Sequence, residues 1–509
     1  MGKYGVKKTT FLMMVLSIII KFIGFLRSSV LAYYYGAGYI SDAYNIACDI
    51  PILLFAFLGN AIVTAYVPMF TQIEKDEGEK AALKYSNTII TVFSIISFGI
   101  ILFITVFAEP FVRILAVGFD EKTLELAASF ARISSWCLIF ITAERLFICY
   151  LNIRNNYLLP VMVSLPMNIL LILSIAISSK LGYEYLGFGI LIALSSQMFF
   201  LIPSLIKEKY KFYPCIDIKN KNVIQTVKIV LPVLLGVSVN QINKIIDKSL
   251  ASTIAVGGIS NLNYASVINT AIQDIVIFSI ITITFVKISQ FVSENRTEEL
   301  KKMINKAISA ILCLIIPISF VVIIFSKEIV TILFMRGSFD KGAMLETSSA
   351  LICYSVGMVF VSLRDILIKV FYSMKDSKTP IRNSIYAIII NIVLNFILSS
   401  FMGISGLALA TSISAVSSAV LMYFSLKKKI GKLDERNISF LFIKILVISV
   451  IVAAAMYFLY NILLINLGIF ISFAITLVFG VLLYIAFAYI FKVEDIKVFL
   501  NSFIRKIIR

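Results

Sequence analysis

The sequence predicts an all-α polytopic membrane protein with about 14 transmembrane helices. The first observation is composition, because 60% of the 509 residues are hydrophobic and only 15% are charged. One membrane-spanning helix needs roughly 20 apolar residues, so this content supplies about 14 spans and leaves little for a soluble domain. The other two observations are the position of the basic residues and an internal repeat. Together they exclude a large soluble protein and a disordered chain.

Charged residues, glycines and prolines divide the chain into about 14 apolar segments, each long enough to cross a bilayer. The first segment follows Lys3, Lys7 and Lys8, as in a signal peptide. It contains Lys21 and Arg27 and lacks a small-residue cleavage site, so we predict that it is the first span. The predicted spans are 11–33, 43–70, 86–108, 126–150, 157–178, 186–206, 226–250, 262–291, 305–326, 346–372, 380–400, 404–425, 440–462 and 466–491.

The positions of Lys and Arg predict the orientation of these spans. If both termini lie in the cytoplasm, the cytoplasmic loops carry roughly five times as many basic residues as the loops on the opposite side. Such an excess is typical of cytoplasmic loops. We therefore expect a multi-pass protein with both termini cytoplasmic. The net charge of +18 then reflects membrane topology, and we expect no nucleic-acid partner.

Short motifs recur at an offset of 219 or 220 residues. The matching positions are Leu31-Ala32 with Leu250-Ala251, Gly38 with Gly257, 40–42 with 259–261, and Glu144-Arg145 with Arg364-Asp365. The repeat predicts two homologous six-helix lobes, 1–220 and 221–430, followed by two extra helices and a basic cytoplasmic tail in 431–509. Because six is even, both lobes enter the membrane from the same side, which gives a pseudo-two-fold axis along the membrane normal.

Charged residues inside two spans from opposite lobes predict a binding site. A charge at the centre of a bilayer costs at least about 2.5–3.5 kcal/mol and usually faces a cavity. The residues are Lys21 and Arg27 in the first span, and Lys244, Asp247 and Lys248, with Asn240 and Asn243, on one face of the seventh. We predict that the charged members line a central cavity that binds an anionic substrate, and phosphate suits such groups well. The alternative is local ion pairs and snorkelling helix ends.

Two residues at equivalent places in the repeat, Asp42 and Asn261, are predicted to form a gate. Both lie at the outer ends of their spans. Alternating access requires contacts that close the outer side while the inner side is open. An acidic side chain there can accept hydrogen bonds from helix amides or pair with a basic group. Ser41-Asp42 is equally typical of a helix N-cap for the second span.

The sequence carries no motif for catalysis or for a cofactor. It has no His, and its six Cys form no CxxC pair, so we expect no metal site and no disulfide framework. The Walker, GxSxG and HExxH motifs are absent. We therefore predict that the protein is not an enzyme and has no cofactor. An ion gradient, the membrane potential or the substrate's own gradient would drive transport.

Six short motifs follow one another along most of residues 10–425. They are Gly24-Phe25-Leu26-Arg27, Gly36-Ala37-Gly38, Ser41-Asp42-Ala43-Tyr44, Leu231-Pro232-Val233-Leu234-Leu235-Gly236, Arg336-Gly337-Ser338-Phe339, and Phe371-Tyr372 with Asp376 and Thr379-Pro380. In this order they resemble the MurJ/MviN-type lipid II flippases of the multidrug/oligosaccharidyl-lipid/polysaccharide exporter superfamily.

The resemblance implies a fold of two lobes around a cavity that opens alternately to each side. It implies transport of the undecaprenyl-pyrophosphate-linked peptidoglycan precursor, lipid II, from the inner to the outer leaflet of the bacterial cytoplasmic membrane, for cell wall biogenesis. The implied partners are lipid II and membrane lipids, and a coupling ion is left open. The two C-terminal helices are implied to form a groove for the lipid tail.

Three positions depart from the family pattern. Ser28 stands where an acidic residue is usual, Val267 where an arginine is common, and Ile52 where an asparagine is usual. Three alternatives therefore stay open. They are a flippase for another polyprenyl-linked oligosaccharide, a cation-coupled drug exporter of the same superfamily, and a non-transporting membrane scaffold.

Overall fold

The computed structural model describes the backbone of residues 3–493. Side chains are described for residues 12–493 except at positions 57, 58, 60, 61, 229, 231–240, 278, 279, 282, 283 and 286. Most of the predicted basic tail, and the side chains of Asn240 and of the motif at 231–236, lie outside the described residues.

The described part of the chain consists of helices joined by short loops, without a β-strand. The α-helices are α1 (Lys3–Tyr35), α2 (Tyr39–Glu77), α3 (Glu79–Val106), α4 (Ala108–Leu115), α5 (Glu121–Ser134), α6 (Cys137–Ile153), α7 (Leu158–Met162), α8 (Ser164–Leu181), α9 (Leu186–Lys207), α10 (Lys221–Ile254), α11 (Gly258–Ser293), α12 (Thr297–Ile324), α13 (Ser326–Phe334), α14 (Lys341–Ser373), α15 (Lys378–Met402), α16 (Ile404–Ile430) and α17 (Glu435–Ile490). A short 3₁₀ turn, Tyr183–Tyr185, precedes α9.

The prediction of an all-α membrane protein is confirmed, and each predicted apolar segment overlaps a helix or two consecutive helices. Within the described residues, nine helices are long and apolar enough to cross a membrane. The number becomes ten if α5 and α6, which meet at a 47° bend, form one span. The count of about 14 spans stays a prediction.

One glycine divides the long C-terminal helix α17. The helix has 56 residues, and Gly468 within it has a φ of 67° and a ψ of 168°. At about 1.5 Å per residue an unbroken helix of this length would measure roughly 84 Å, far more than the roughly 30 Å of a bilayer core. Glycine adopts a positive φ without steric penalty. The break therefore gives α17 two parts, which match the last two predicted spans.

By its internal contacts the chain divides into two compact units. The first comprises the described residues of Met1–Ser260 together with Arg336–Asp340, and the second those of Asn261–Met335 and Lys341–Arg509. Helix α10, which the repeat assigns to the second lobe, packs against α2 in the first unit. The lobe boundaries 1–220, 221–430 and 431–509 stay predictions.

The core of the first unit is built from aromatic side chains of α2, α3 and α6 whose hydroxyl groups are bonded. The Tyr66 and Ser86 hydroxyls lie 2.6 Å apart, and the Tyr85 hydroxyl lies 2.8 Å from that of Thr226. A buried tyrosine needs such a partner because an unbonded hydroxyl is costly in an apolar core. Since Thr226 belongs to α10, this core also fixes the start of that helix in the first unit.

The core of the second unit joins α12, α14, α16 and α17. Phe325 lies at its centre, with its ring 5.4 Å from that of Tyr460 and 5.6 Å from that of Phe473. Both contacts are edge-to-face, the arrangement that aromatic quadrupoles favour. The two parts of α17 are thereby packed against one residue that follows α12.

A single carboxylate fixes the turn between α14 and α15. Asp376 accepts hydrogen bonds from the Thr379 backbone N–H at 3.0 Å and from its hydroxyl at 2.6 Å, and Lys429 lies 2.5 Å away. Burial alone would raise the pKa of this carboxyl, but the Lys429 ammonium and the Thr379 hydrogen bonds outweigh it and hold the pKa well below its usual range.

We expect Asp376→Ala to lower the stability of the purified protein by about 1–2 kcal/mol, because the start of α15 loses its acceptor. Asp376→Asn should lose less, since an amide oxygen still accepts from Thr379. A carboxyl with a lowered folded-state pKa stabilises the fold above its unfolded pKa of about 3.9, and this contribution is lost as the pH falls below that value. Thermal unfolding in detergent between neutral and acid pH measures both effects. Equal midpoints for the wild type and Asp376→Ala at neutral pH would contradict this role.

Candidate functional site

Two of the predicted cations, one from α1 and one from α10, approach the same part of α2 in the first unit. Arg27 of α1 and Lys248 of α10 are both close enough to Cys48 of α2 to act on its thiol electrostatically. Both cations are partly exposed, and Lys21 and Lys244 are exposed. The sequence therefore predicted two residues, one from each of two distant spans, that the fold brings to one place.

An acidic residue of α2 that the sequence analysis missed completes this cluster. The Lys248 ammonium forms an ion pair with the Asp49 carboxylate. Asp49 lies seven residues, or two helical turns, after Asp42 and therefore on the same face of α2. That spacing is the signal that could have found it.

Arg27 and Lys244 differ from Lys248 in having no carboxylate partner among the described residues. Among the described residues, no carboxylate oxygen lies within 4.0 Å of Arg27 or Lys244. The Asp247 carboxylate instead accepts a hydrogen bond from the Asn243 amide at 3.3 Å, so the alternative of a Lys244–Asp247 ion pair is not observed among these residues. The described part of the cluster thus holds more positive than negative charge.

Asp42 does not cap its own helix. The N-cap of α2 is Gly38, whose backbone N–H donates to the Ser41 hydroxyl at 3.0 Å. The Asp42 carboxylate, 2% exposed, accepts instead from the backbone N–H groups of Gly257 and Ser260, both at 2.8 Å, and from the Ser260 hydroxyl at 2.6 Å. These donors lie at the start of α11, where the free amides and the helix dipole favour a negative charge. Asp42 therefore binds α2 to the first turn of α11.

Glycine makes this approach of the two backbones possible. Gly257 has a φ of +86°, and a Cβ atom there would overlap the carbonyl oxygen of Ala37. Gly36 has a φ of +61° and lies just as close to the backbone of Ser338. The Ser338 N–H donates to the Tyr33 carbonyl at 2.9 Å. Direct backbone contacts therefore join residues 33–37 to Gly257 and to Ser338, at the end of the first unit that contains Asp42.

Asn261, the counterpart of Asp42, binds different groups in the second unit. Its side-chain amide donates to Glu346 at 2.6 Å and accepts from the Thr347 hydroxyl at 3.1 Å. Both partners belong to the first two turns of α14. The two predicted gate residues share a register in the repeat, but Asp42 binds backbone amides and Asn261 binds side chains.

The two charged doublets form local ion pairs. Arg145 Nε lies 3.1 Å from the carboxylate of Glu144, which is buried, and Arg364 donates two hydrogen bonds to Asp365, at 3.0 and 2.8 Å. Neither doublet pairs with a charge on another helix among the described residues.

The second unit contains an apolar cavity of about 690 Å³ between α12 and α17. Its walls are almost entirely hydrocarbon and include Pro317, Val321, Met456 and Leu477, with Ile272 of α11 at one side. Walls of this kind match the chemistry of an alkyl chain. The groove for a lipid tail that the resemblance implied stays a prediction.

Comparison with known proteins gives the family. The family model described as lipid II flippase MurJ matches residues 31–479. This chain belongs to the lipid II flippase MurJ family. A probable lipid II flippase MurJ of Buchnera aphidicola subsp. Schizaphis graminum is 31% identical over 453 residues, 86% of each chain. One from Borreliella burgdorferi is 28% identical over 470 residues, 91% of this chain and 90% of the relative.

Solved structures agree with this assignment to the MurJ family. The structure of a lipid II flippase MurJ in an inward closed conformation superimposes with a TM-score of 0.83 at 26% identity, covering 94% of this chain and 98% of that chain. An inward-facing multidrug resistance MATE family transporter gives a TM-score of 0.67 at 15% identity, covering 82% of this chain, which shows a shared fold alone. The resemblance derived from the motifs is confirmed.

We expect Gly257→Ala to destabilise the protein by about 1–3 kcal/mol, because alanine at a positive φ is strained and its Cβ atom displaces the amide that Asp42 binds. Gly99→Ala is the matched control. Gly99 lies inside α3, and a Cβ atom there meets no atom within 4 Å, so alanine should be neutral or slightly stabilising. Thermal unfolding of both variants in detergent measures the difference. Equal stability of the two variants would contradict the close approach at Gly257.

Proposed function

We propose that this chain is a flippase that moves lipid II from the inner to the outer leaflet of the bacterial cytoplasmic membrane by alternating access. The observation that carries the proposal is the cationic cluster around Arg27 and Lys248, in a chain that belongs to the MurJ family over residues 31–479. Lipid II joins a pyrophosphate to a long polyprenyl tail. A substrate of that kind needs both a cationic site and an apolar groove.

The pyrophosphate is proposed to bind at the cations of α1 and α10. The Arg27 guanidinium presents a planar fork that matches two phosphate oxygens, and Lys244, Lys248 and Lys21 contribute point charges. Asp247 would orient this face through its hydrogen bond with Asn243. The absence of a described carboxylate beside Arg27 and Lys244 supports their role as anion ligands.

The polyprenyl tail is proposed to lie in the cavity between α12 and α17. Lipid tails around the protein are as apolar as the cavity walls, so little hydrophobic free energy is gained by moving a tail from one to the other. The cavity would therefore select by shape and by van der Waals contact. Its volume of about 690 Å³ accommodates a segment of the tail rather than its whole length.

The contacts of Asp42 and Asn261 are proposed to hold the outer side shut. Opening would separate Asp42 from the first turn of α11 and Asn261 from α14, and the broken hydrogen bonds would be replaced by water. Flipping breaks no covalent bond, so this function requires no catalytic residue. An ion gradient, the membrane potential or the substrate gradient would bias the equilibrium between the two states.

Complementation tests the proposed function. A bacterial strain depleted of its own lipid II flippase should grow when this chain is expressed, and lipid II should become accessible at the outer leaflet. Lysis of the strain, with the chain present in the membrane, would contradict the proposal. Transport of other polyprenyl-linked oligosaccharides in the same host would favour the alternative substrate class.

We expect Arg27→Ala and Lys244→Ala to reduce flipping by at least about tenfold without reducing membrane insertion, since each removes a charge-assisted contact to the pyrophosphate. Arg27→Lys should be partly active because the charge remains while the fork is lost. Arg113→Ala is the control, because Arg113 is exposed and paired with Glu121 at 2.8 Å. Flipping assays in proteoliposomes give the rates. Wild-type rates for both alanine variants at the site would exclude a cationic substrate site here.

We expect Asp42→Asn to impair transport and to shift the accessibility of cysteines placed beside the cationic cluster toward the outside. The Gly257 N–H donates to one carboxylate oxygen and the Ser260 N–H to the other, so in asparagine the amide NH2 group would face one of these donors. Asp120→Asn is the matched control because Asp120 caps its own helix, α5, and asparagine caps as well as aspartate. Normal transport and unchanged labelling of Asp42→Asn would leave no gate role for this residue.

The orientation of the chain is proposed from the basic residues alone. In a variant without other cysteines, cysteines at 80, 215 and 432 should react with an impermeant reagent only from the cytoplasm, and those at 338 and 402 only from outside. Both termini are then cytoplasmic. Reversed labelling at two or more of these positions would overturn the orientation.

A further inference from the structure

The ion pair between Asp49 and Lys248 lies where the substrate's anion would bind. Lys248 is one of the cations of the cluster, and its ammonium contacts the Asp49 carboxylate. The Asp49 side chain is 47% exposed and that of Lys248 is 26% exposed. A pair this accessible can exchange partners, unlike the Asp42 carboxylate, which is buried and already accepts three hydrogen bonds.

The ion pair between Asp49 and Lys248 makes Lys248 different from Arg27. Arg27 has no carboxylate within 4.0 Å among the described residues, so any anion that enters can pair with it. Lys248 is available only if the incoming anion replaces Asp49. A singly charged phosphodiester headgroup is satisfied by Arg27 and gains little by also displacing a carboxylate from Lys248. A doubly charged pyrophosphate diester has a second charge, and the cation that acts together with Arg27 on the surroundings of Cys48 is Lys248.

We propose that Asp49 is a specificity-determining residue, a resident counter-ion of Lys248 that doubly charged pyrophosphate lipids displace and singly charged phospholipids do not. The inference rests on the proposed function, since it takes the pyrophosphate of a polyprenyl lipid as the ligand of the same cluster. Anionic phospholipids are in large excess in the membrane, so a flippase has to disfavour them. A competing charge at the site is a means of doing so, because specificity depends on destabilising the wrong complex as well as on stabilising the right one.

Substitution of Asp49 should change the affinities for the two lipids by different factors. In Asp49→Asn, Lys248 loses its counter-ion and can pair with a phospholipid headgroup, so affinity for the phospholipid rises. A charge-assisted contact of this kind corresponds to about a tenfold change in affinity or more. Affinity for the pyrophosphate lipid rises by a smaller factor, because this lipid already contacts Lys248 in the wild type. The ratio of the affinity for the pyrophosphate lipid to that for the phospholipid therefore falls by about tenfold.

Native mass spectrometry of the purified full chain tests this directly. Lipid II and phosphatidylglycerol are titrated separately against the wild type, Asp49→Asn, the double variant Asp49→Asn/Lys248→Gln, and Asp217→Asn. Asp217 is the matched control, because it pairs with Lys84 at 2.8 Å outside the cluster and the same substitution removes the same charge.

We expect Asp49→Asn to bind phosphatidylglycerol about tenfold more tightly, the double variant to return to the wild-type value, and Asp217→Asn to match the wild type for both lipids. An unchanged ratio in Asp49→Asn, or an equal rise for both lipids, would overturn the proposal. So would a rise of the same size in Asp217→Asn, which would attribute the effect to net charge.

A second variant keeps the test independent of how well Asp49→Asn folds. Lys248→Gln should weaken lipid II binding by about tenfold and leave phosphatidylglycerol binding unchanged, because only the doubly charged lipid uses Lys248. Equal weakening of both lipids would contradict the proposal. Failure of the proposed function is distinguishable, since the wild type itself would then show no preference for lipid II over phosphatidylglycerol.

Discussion

An ionised side chain inside a bilayer persists only where an opposite charge, a helix terminus or water compensates it. In the first unit, groups of the protein compensate the acids Asp42 and Asp49. The amides of Gly257 and Ser260 hold the Asp42 carboxylate, and Lys248 holds Asp49. The cation Arg27 has no such carboxylate among the described residues. The need to compensate each charge therefore fixes the helix contacts of the two acids, and it leaves the positive charge of Arg27 for a ligand to compensate.

Asp42 and Asn261 occupy equivalent positions in the repeat but make two different kinds of contact. Asp42 places a full negative charge against helix amides, an interaction of up to about 2 kcal/mol when partly buried. Asn261 donates a charge-assisted hydrogen bond to Glu346, of about 1.5–3 kcal/mol, and accepts a neutral one from Thr347, of about 0.5–1.5 kcal/mol. The first contact depends on charge and on backbone geometry, which explains the need for Gly257. The second depends only on side-chain reach.

The sequence predicted the all-α membrane fold and the extent of most helices, because apolar length and helix-breaking residues are local properties. It did not predict the partners of the site residues. Asp42 follows Ser41 and is typical of an N-cap, yet Ser41 accepts from Gly38 and the carboxylate binds a helix more than 200 residues away. The seven-residue spacing from Asp42 places Asp49 on the same face of α2, but it does not identify the partner, because the ion pair of Asp49 joins α2 to α10. For the same reason the repeat did not predict that α10 packs against α2.

The central claim is that the cations of α1 and α10 bind the pyrophosphate of lipid II. A cryo-electron microscopy map of the chain in nanodiscs with lipid II tests it most directly. The account predicts pyrophosphate density within hydrogen-bond distance of Arg27 and Lys248, with the Asp49 carboxylate no longer in contact with the ammonium. Pyrophosphate density at other residues, with the Asp49–Lys248 pair intact, would contradict it.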